Sequence, residues 1–152
     1  MGEVDIQFDP CRCGVLFFSR GRGRGHAIPD MAIAEELLRL RDDADIRFVS
    51  YGTGAATFTE YGHGVIDLDL PERNSVIETL VRAGHLIGWL QPRLIVAHEE
   101  FGVPPAARIF GTRLSFITDW FAETEQLSMQ CLHYADEILF IDEPGSTASR
   151  LT

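Results

Sequence analysis

Residues Gly14 to Leu40 read GVLFFSRGRGRGHAIPDMAIAEELLRL and set the pattern for the whole chain. A short apolar run, Val15 to Phe18, predicts a strand, and a loop in which arginines and glycines alternate follows it. His26 then opens a predicted helix, because Pro29 is tolerated only in the first turn of a helix. A strand, a glycine loop and a helix N-terminus in this order are typical of sites that hold phosphates or sugar hydroxyls against backbone N–H groups.

The remainder of the chain alternates between short apolar runs and segments with helical spacing. The runs predict six strands, at Gly14–Ser19, Ile46–Ser50, Val65–Leu68, Leu94–Ala97, Leu114–Thr118 and Glu137–Ile141. The intervening segments predict helices over Ala27–Arg41, Ala55–Tyr61, Val76–Leu90, Pro105–Phe110 and Glu123–His133. Strands that alternate with helices predict an α/β fold, with a Rossmann-like, doubly wound and mostly parallel sheet of about six strands.

The third predicted helix carries two further expectations. Ser75 and Glu78 have the spacing of a capping box, which predicts that the helix begins directly after Ser75. Ile87 and Trp89, near the end of the same helix, are both expected to pack against the sheet.

Length and composition fit one globular domain. We expect residues 13–144 to form it, with residues 1–12 as a lead-in and residues 145–152 as a polar tail or a linker. The net charge of −10 argues against a general nucleic-acid-binding protein. The sequence contains no apolar run of the roughly 18 residues that span a bilayer, so any membrane contact is expected to be peripheral.

The three cysteines give little sign of a disulfide framework or a metal site. Cys11, Cys13 and Cys131 are odd in number, which suits a reducing compartment, and we expect a cytoplasmic protein. Cys11-x-Cys13 lacks the C-x₂₋₄-C spacing of structural zinc motifs, so no metal site is expected.

The glycine loop does not follow the better-known nucleotide-binding patterns. The sixth position of G-x-G-x-x-G is His26 when counted from Gly21, and Ile28 when counted from Gly23. No acidic residue follows the second predicted strand to bind a ribose, so NAD binding is disfavoured. A P-loop is excluded because the chain contains no lysine.

The motif Gly-x-Gly-His-x-x-Pro at Gly23–Pro29 opens an amphipathic helix, and here the sequence resembles the N-terminal domain of GT-B glycosyltransferases. The resemblance is to transferases of the UDP-glycosyltransferase type, and to the N-acetylglucosaminyltransferase that makes the lipid-linked peptidoglycan precursor. It continues in order through Ala34–Leu37, Pro92–Val96 and Ala135–Leu139, and covers about residues 13–145.

The resemblance implies the acceptor-side domain of an inverting, metal-independent hexosyltransferase. Such an enzyme moves a sugar from a nucleotide-sugar co-substrate to the hydroxyl group of a small or lipid-linked acceptor, without a further cofactor. The family binds the donor in a second domain, so donor binding would need a missing C-terminal domain or a partner subunit, and the isolated chain is expected to be inactive. Two alternatives stay open: a non-catalytic acceptor-binding subunit that works with a donor-binding partner, and half of a nucleotide-sugar epimerase.

His26 is the candidate catalytic base. The unperturbed pKa of an imidazole, about 6.5, suits general-base catalysis near neutral pH, and a helix N-terminus favours the neutral form. The matching histidine of the UDP-glycosyltransferase branch is the base, which implies the same role here. That branch pairs its histidine with an aspartate after a later strand, where this chain has His98. The orienting carboxylate could therefore be Glu99, Glu100 or Asp119, and we name Glu99 and Asp119 as catalytic candidates beside His26.

The same loops supply candidate substrate-binding residues. Three arginines between glycines at a helix N-terminus exceed what solubility needs. They indicate binding of an anion, such as the phosphate of a lipid-diphosphate acceptor or the pyrophosphate of the donor. The substrate-binding candidates are Arg20, Gly21, Arg22, Gly23, Arg24, Gly25, His98, Glu100 and Gly102.

Overall fold

The computed structural model describes residues 13–119 and 130–141, which form one six-stranded parallel sheet in the order β3-β2-β1-β4-β5-β6. The strands are β1 (Val15–Ser19), β2 (Ile46–Ser50), β3 (Val65–Asp67), β4 (Leu94–His98), β5 (Arg113–Thr118) and β6 (Glu137–Phe140). The helices are α1 (Ala27–Leu40), α2 (Gly52–Glu60), α3 (Val76–Leu90) and α4 (Val103–Ile109), and a short 3₁₀ helix covers Leu132–Tyr134. Within the described ranges, no helix is both long and apolar enough to cross a bilayer.

The predicted fold class is confirmed, because the strand order is that of a doubly wound, Rossmann-like sheet. The second helix begins at Gly52 rather than at Ala55, since Gly52 adopts a φ of 51° that turns the chain directly from β2 into α2. Only the end of the helix predicted over Glu123–His133 falls within the described residues, where the 3₁₀ helix lies. The predicted lead-in and tail lie outside the described residues.

In α3, one expectation is confirmed and another is partly wrong. Ser75 Oγ accepts a hydrogen bond from the backbone N of Glu78 at 3.1 Å, and Glu78 Oε2 accepts one from the backbone N of Ser75 at 2.7 Å, so the capping box is present. Ile87 is fully buried, but Trp89 is 76% exposed. Residues two apart on a helix point to different faces, so the face that buries Ile87 leaves Trp89 in solvent.

Alternating side chains of the central strands fill a core on each face of the sheet. In β1, Leu16 and Phe18 belong to one apolar cluster. Phe17 belongs to a second cluster, together with Phe48 of β2 and Val96 of β4. Because both faces are covered, the central strands are continuously apolar, as expected for parallel strands between two layers of helices.

Two glycine turns pack against each other at the carboxyl edge of the sheet. A side chain on Gly21 would overlap Tyr51, and one on Gly54 would overlap Ser50 Oγ and come within 3.1 Å of the carbonyl of Arg20. The backbone N of Gly54 donates to the carbonyl of Gly21 at 3.2 Å. The absence of side chains at these two glycines therefore lets α2 begin directly against the loop that follows β1.

Replacing Gly54 with alanine is expected to destabilise the protein by about 1–3 kcal/mol, because an added methyl group has no room in this contact. Gly84 is a matched control within α3, where an added Cβ would have no heavy atom within 4 Å. Gly84→Ala is expected to stabilise the protein by about 0.5–1 kcal/mol through helix propensity. Urea denaturation of both variants checks this, and wild-type stability of Gly54→Ala would contradict the packing argument.

Candidate functional site

Buried polar residues end four of the strands. Ser19, Ser50, His98 and Thr118 are the last residues of β1, β2, β4 and β5, and none is more than 4% exposed. The strands β1 and β4 are neighbours, but the sheet continues from them in opposite directions, towards β2 and β5. In open α/β sheets, such a switch point forms a crevice in which ligands bind. The candidate site therefore lies between the loops that follow β1 and β4.

These two loops meet through His26 and Glu99. The Nε2 atom of His26, just before α1, lies 2.8 Å from Oε2 of Glu99, just after β4. The imidazole therefore donates its Nε2 proton to the carboxylate. Glu99 has a φ of 54°, in the left-handed region that favours glycine. Such backbone conformations cost about 1–3 kcal/mol and cluster at functional sites.

Glu99 is held as a carboxylate by several donors. Its Oε1 accepts hydrogen bonds from Thr118 Oγ1 at 2.9 Å and from the backbone N of Asp119 at 3.4 Å, and Arg20 Nη1 lies 3.8 Å from its Oε2. Burial would raise the pKa of Glu99, but its hydrogen bonds, above all that from His26, outweigh this and lower the pKa to about 2. The hydrogen bond with Glu99 raises the pKa of Asp119. The contact between these two carboxyl groups thus shifts their pKa values in opposite directions.

The second ring nitrogen of His26 has no hydrogen-bond partner among the described residues. Because Nε2 directs its proton at Glu99, Nδ1 carries the lone pair. This Nδ1 atom is buried and accepts no hydrogen bond from any of the described residues. An unpaired buried acceptor is costly, so it marks a place for an incoming donor such as a hydroxyl group.

A second histidine–carboxylate pair lies beside the first. His98 Nδ1 lies 2.7 Å from Oδ1 of Asp30, and Ser19 Oγ donates to the other oxygen of that carboxylate. The structure therefore places His98, a predicted substrate-binding residue, in a buried network. Asp30 was not among the predicted site residues, although its place on the buried face of α1 is a usable signal. Among residues 13–119 and 130–141, no three His, Cys, Asp or Glu side chains are grouped so that they could hold a metal ion.

Glu100 borders a small polar cavity next to this network. Its Oε1 accepts a hydrogen bond from the hydroxyl of Tyr51 at 2.6 Å. Burial raises the pKa of Glu100 to about 7, although this hydrogen bond and the charges of Arg20 and Arg22 oppose the shift. Burial and the neighbouring Glu100 also raise the pKa of Tyr51, a residue that the sequence did not single out, to about 12. The cavity measures about 50 Å³, enough for a water molecule or one small polar group.

The three arginines of the glycine loop have different surroundings. Arg22 Nε donates to the backbone carbonyl of Glu72 at 2.6 Å, and Arg24 forms an exposed ion pair with Glu60 at 2.6 Å. These contacts connect the loop to α2 and to the segment before α3. Arg20, by contrast, lies beside the carboxylate of Glu99, which binds His26. Anion binding by the loop stays a prediction, and Arg20 is its best-placed member.

The predicted glycines are required for different reasons. Gly23 has a φ of 67°, which disfavours any side chain. Gly21 is required by its contact with the turn after β2, and a Cβ on Gly102 would come within 2.5 Å of a backbone carbonyl of α3. Gly25 has neither constraint, because a Cβ there would have no heavy atom within 4 Å. Gly25 is exposed, so a side chain there would meet only solvent.

Comparison with solved structures identifies the fold. The chain matches the MurG of Acinetobacter baumannii with a TM-score of 0.65 and 14% identity over 88% of its length. It matches a putative UDP-N-acetylglucosamine 2-epimerase from Listeria monocytogenes with a TM-score of 0.65 and 16% identity over 85%. It also matches the spinosyn forosaminyltransferase SpnP with a TM-score of 0.60 and 19% identity over 81%. The chain has the fold of one part of such GT-B proteins.

The predicted resemblance to GT-B glycosyltransferases is thereby confirmed at the level of the fold. The chain spans 43%, 38% and 35% of the length of these three proteins. A scan against protein-family models finds no match, and a search of the curated proteins also finds none. At such low identities the similarity establishes the fold, so the activity has to be argued from the site.

Proposed function

We propose that this chain forms the acceptor-side part of an inverting, metal-independent glycosyltransferase in which His26 is the catalytic base. The observation that carries the proposal is the 2.8 Å hydrogen bond between His26 and Glu99 at the switch point between β1 and β4. Two of the structural neighbours, MurG and SpnP, are glycosyltransferases with the same fold.

The pair can perform the proton transfer of a single displacement. The acceptor hydroxyl donates to Nδ1 of His26, and its oxygen attacks the anomeric carbon of the donor as the proton moves to this nitrogen. The bond from that carbon to the diphosphate oxygen breaks, and the nucleotide diphosphate leaves with the electron pair. Glu99 holds the Nε2 proton and stabilises the imidazolium that forms. Attack from the side opposite the leaving group inverts the anomeric centre.

Other predicted residues fit around this reaction. The acceptor would reach His26 at the switch point between β1 and β4. Arg20 would offer its charge to a phosphate of a lipid-linked acceptor or of the donor. Glu100 would receive a second polar group of the acceptor in its cavity. The donor would be bound by a further domain or a partner subunit, in keeping with neighbours more than twice as long as the part that this chain matches.

Assays of the longest natural polypeptide that contains residues 1–152 test this proposal. UDP-N-acetylglucosamine, which the name of one neighbour mentions, and UDP-glucose serve as donor probes. Simple alcohols, sugars and polyprenyl phosphates serve as acceptors. We expect release of UDP that depends on an acceptor, and a product with inverted anomeric configuration. Release of UDP at the same rate with and without every acceptor would contradict glycosyl transfer.

A nucleotide-sugar epimerase is the second candidate, because one structural neighbour is a putative UDP-N-acetylglucosamine 2-epimerase and because Glu99 and Asp119 lie together at the ends of β4 and β5. Carboxyl groups with separated pKa values, at the ends of β4 and β5, could act as base and acid on one sugar. Incubation with UDP-N-acetylglucosamine in D₂O without an acceptor distinguishes the two activities. An epimerase that moves a proton at carbon introduces deuterium at the inverted centre, whereas a transferase leaves the sugar unlabelled.

A further inference from the structure

Both histidine–carboxylate pairs connect the start of α1 to the end of β4. His26 and Asp30 lie one helical turn apart at the start of α1, whereas His98 and Glu99 are consecutive at the end of β4. Each histidine binds the carboxylate of the other element, at 2.8 Å in the first pair and 2.7 Å in the second. The two imidazole rings meet edge to face, with centroids 4.7 Å apart and planes at 76°. The pairs therefore form one connected unit.

Within this unit, the carboxylate of Asp30 is held by two hydrogen bonds. Both of its carboxylate oxygens are engaged, one by His98 Nδ1 and the other by Ser19 Oγ at the end of β1. The side chain is 0% exposed and lies in the first turn of α1, where the helix dipole stabilises a negative charge. His98 is thus bound to a partner that cannot reorient without breaking a second buried hydrogen bond.

The ring of His26 has fewer restraints of its own. It makes one hydrogen bond, through Nε2, and its Nδ1 has no hydrogen-bond partner among the described residues. A ring that is held by its bond to Cβ and by one hydrogen bond can still tilt, and the contact with the ring of His98 limits this tilt. The productive position of a catalytic group has to be held within about 0.5 Å and 10–20°. The second pair supplies a restraint that the first pair lacks.

We propose that His98 is a positioning residue. Held by Asp30 and Ser19, it fixes the ring of His26 so that Nε2 stays on Glu99 and Nδ1 faces the acceptor. This gives His98 a role other than the substrate binding predicted from the sequence. The effect of His98 on catalysis rests on the proposed function of His26 as the base. Its effect on the position of the His26 ring can be measured in chain 1–152 without any enzymatic turnover.

NMR of the ¹⁵N-labelled histidine side chains of chain 1–152 tests the positioning role. The rate at which the Nε2 proton of His26 exchanges with water reports how often its bond to the carboxylate opens. In His98→Asn, the side-chain amide can still donate to Asp30, but the ring contact with His26 is lost. We expect exchange to become about three- to tenfold faster, the factor that an edge-to-face ring contact supplies. His85→Asn, which replaces an exposed histidine of α3, is the matched control and should leave the rate unchanged.

Ser19→Ala provides a second and milder perturbation. It frees one oxygen of Asp30 and leaves both rings in place, so we expect faster exchange by a smaller factor than in His98→Asn. If the amide spectrum shows that His98→Asn does not fold, Ser19→Ala decides the question alone. An unchanged exchange rate in the folded variants would overturn the positioning role.

Transfer assays separate this proposal from the proposed function. If the Nε2 proton exchanges faster in His98→Asn, and this variant has a lower kcat with an unchanged KM for the acceptor, both proposals hold. If exchange is faster but His26→Asn transfers sugar at the wild-type rate, the positioning role stands and the base assignment fails. If exchange is unchanged while His26→Asn is inactive, the base assignment stands and the positioning role fails.

Discussion

Replacing His26 with asparagine is expected to lower kcat for glycosyl transfer about a hundred- to ten-thousandfold, the contribution of a general base. Asparagine keeps a polar side chain at the start of α1, but it cannot take a proton from the acceptor hydroxyl near neutral pH. Donor binding is expected to be unaffected, because the proposed reaction gives Nδ1 of His26 no contact with the nucleotide. Initial rates of acceptor-dependent UDP release, measured with the longest natural polypeptide that contains this chain, check the prediction.

Two further variants serve as comparisons for His26→Asn. His85→Asn replaces an exposed histidine of α3 and should retain the wild-type rate. Glu99→Gln keeps an oxygen that can accept the Nε2 proton, but it removes the negative charge that stabilises the imidazolium. The rate of Glu99→Gln is therefore expected to fall less than that of His26→Asn. Wild-type transfer by His26→Asn would remove His26 as the base, whatever the rates of the other two variants.

The order of strands and helices could be predicted because its signals are local. The apolar run Leu94–Ala97 lies inside β4, and the Ser75 capping box begins α3 where the sequence places it. The choice among the three candidate carboxylates could not be made in the same way. Glu99 binds His26 while Glu100, the next residue, turns to Tyr51, and this divergence accompanies the φ of 54° at Glu99. Hydropathy patterns carry no information on a single backbone angle.

Residues whose role depends on distant partners were missed for a related reason. Asp30 has an ordinary local explanation, as an acidic residue in the first turn of a helix. Its bond to His98, 68 residues later, exists only because α1 and β4 come together at the centre of the sheet. Tyr51 likewise follows an ordinary strand and meets Glu100 from 49 residues away. A polar side chain on a buried helix face or at a strand end is the signal that would have pointed to them.

Glu100→Gln is expected to make the protein about 3 kcal/mol more stable than wild type at about pH 8. Burial raises the pKa of Glu100 from its ordinary value of 4.5 to about 7, and each pKa unit corresponds to about 1.36 kcal/mol. A carboxyl group with a raised folded-state pKa contributes its full stability below the unfolded-state pKa, and this is lost as the pH rises through the folded-state pKa. The wild type should therefore lose stability between about pH 4.5 and pH 7.

The Glu100→Gln variant does not lose this stability, because a glutamine side chain does not ionise. Its side-chain oxygen can still accept the hydrogen bond from Tyr51, so the buried hydroxyl keeps a partner. Urea denaturation at about pH 5 and about pH 8 should show the advantage of Glu100→Gln growing by about 2–3 kcal/mol between the two conditions. Glu35→Gln, which replaces an exposed carboxylate of α1, is the control and should show no such growth. A constant difference between Glu100→Gln and wild type would mean that Glu100 ionises without penalty. Arg20 and Arg22 would then compensate its charge fully, and the cavity would present an acceptor with a carboxylate instead of a carboxylic acid.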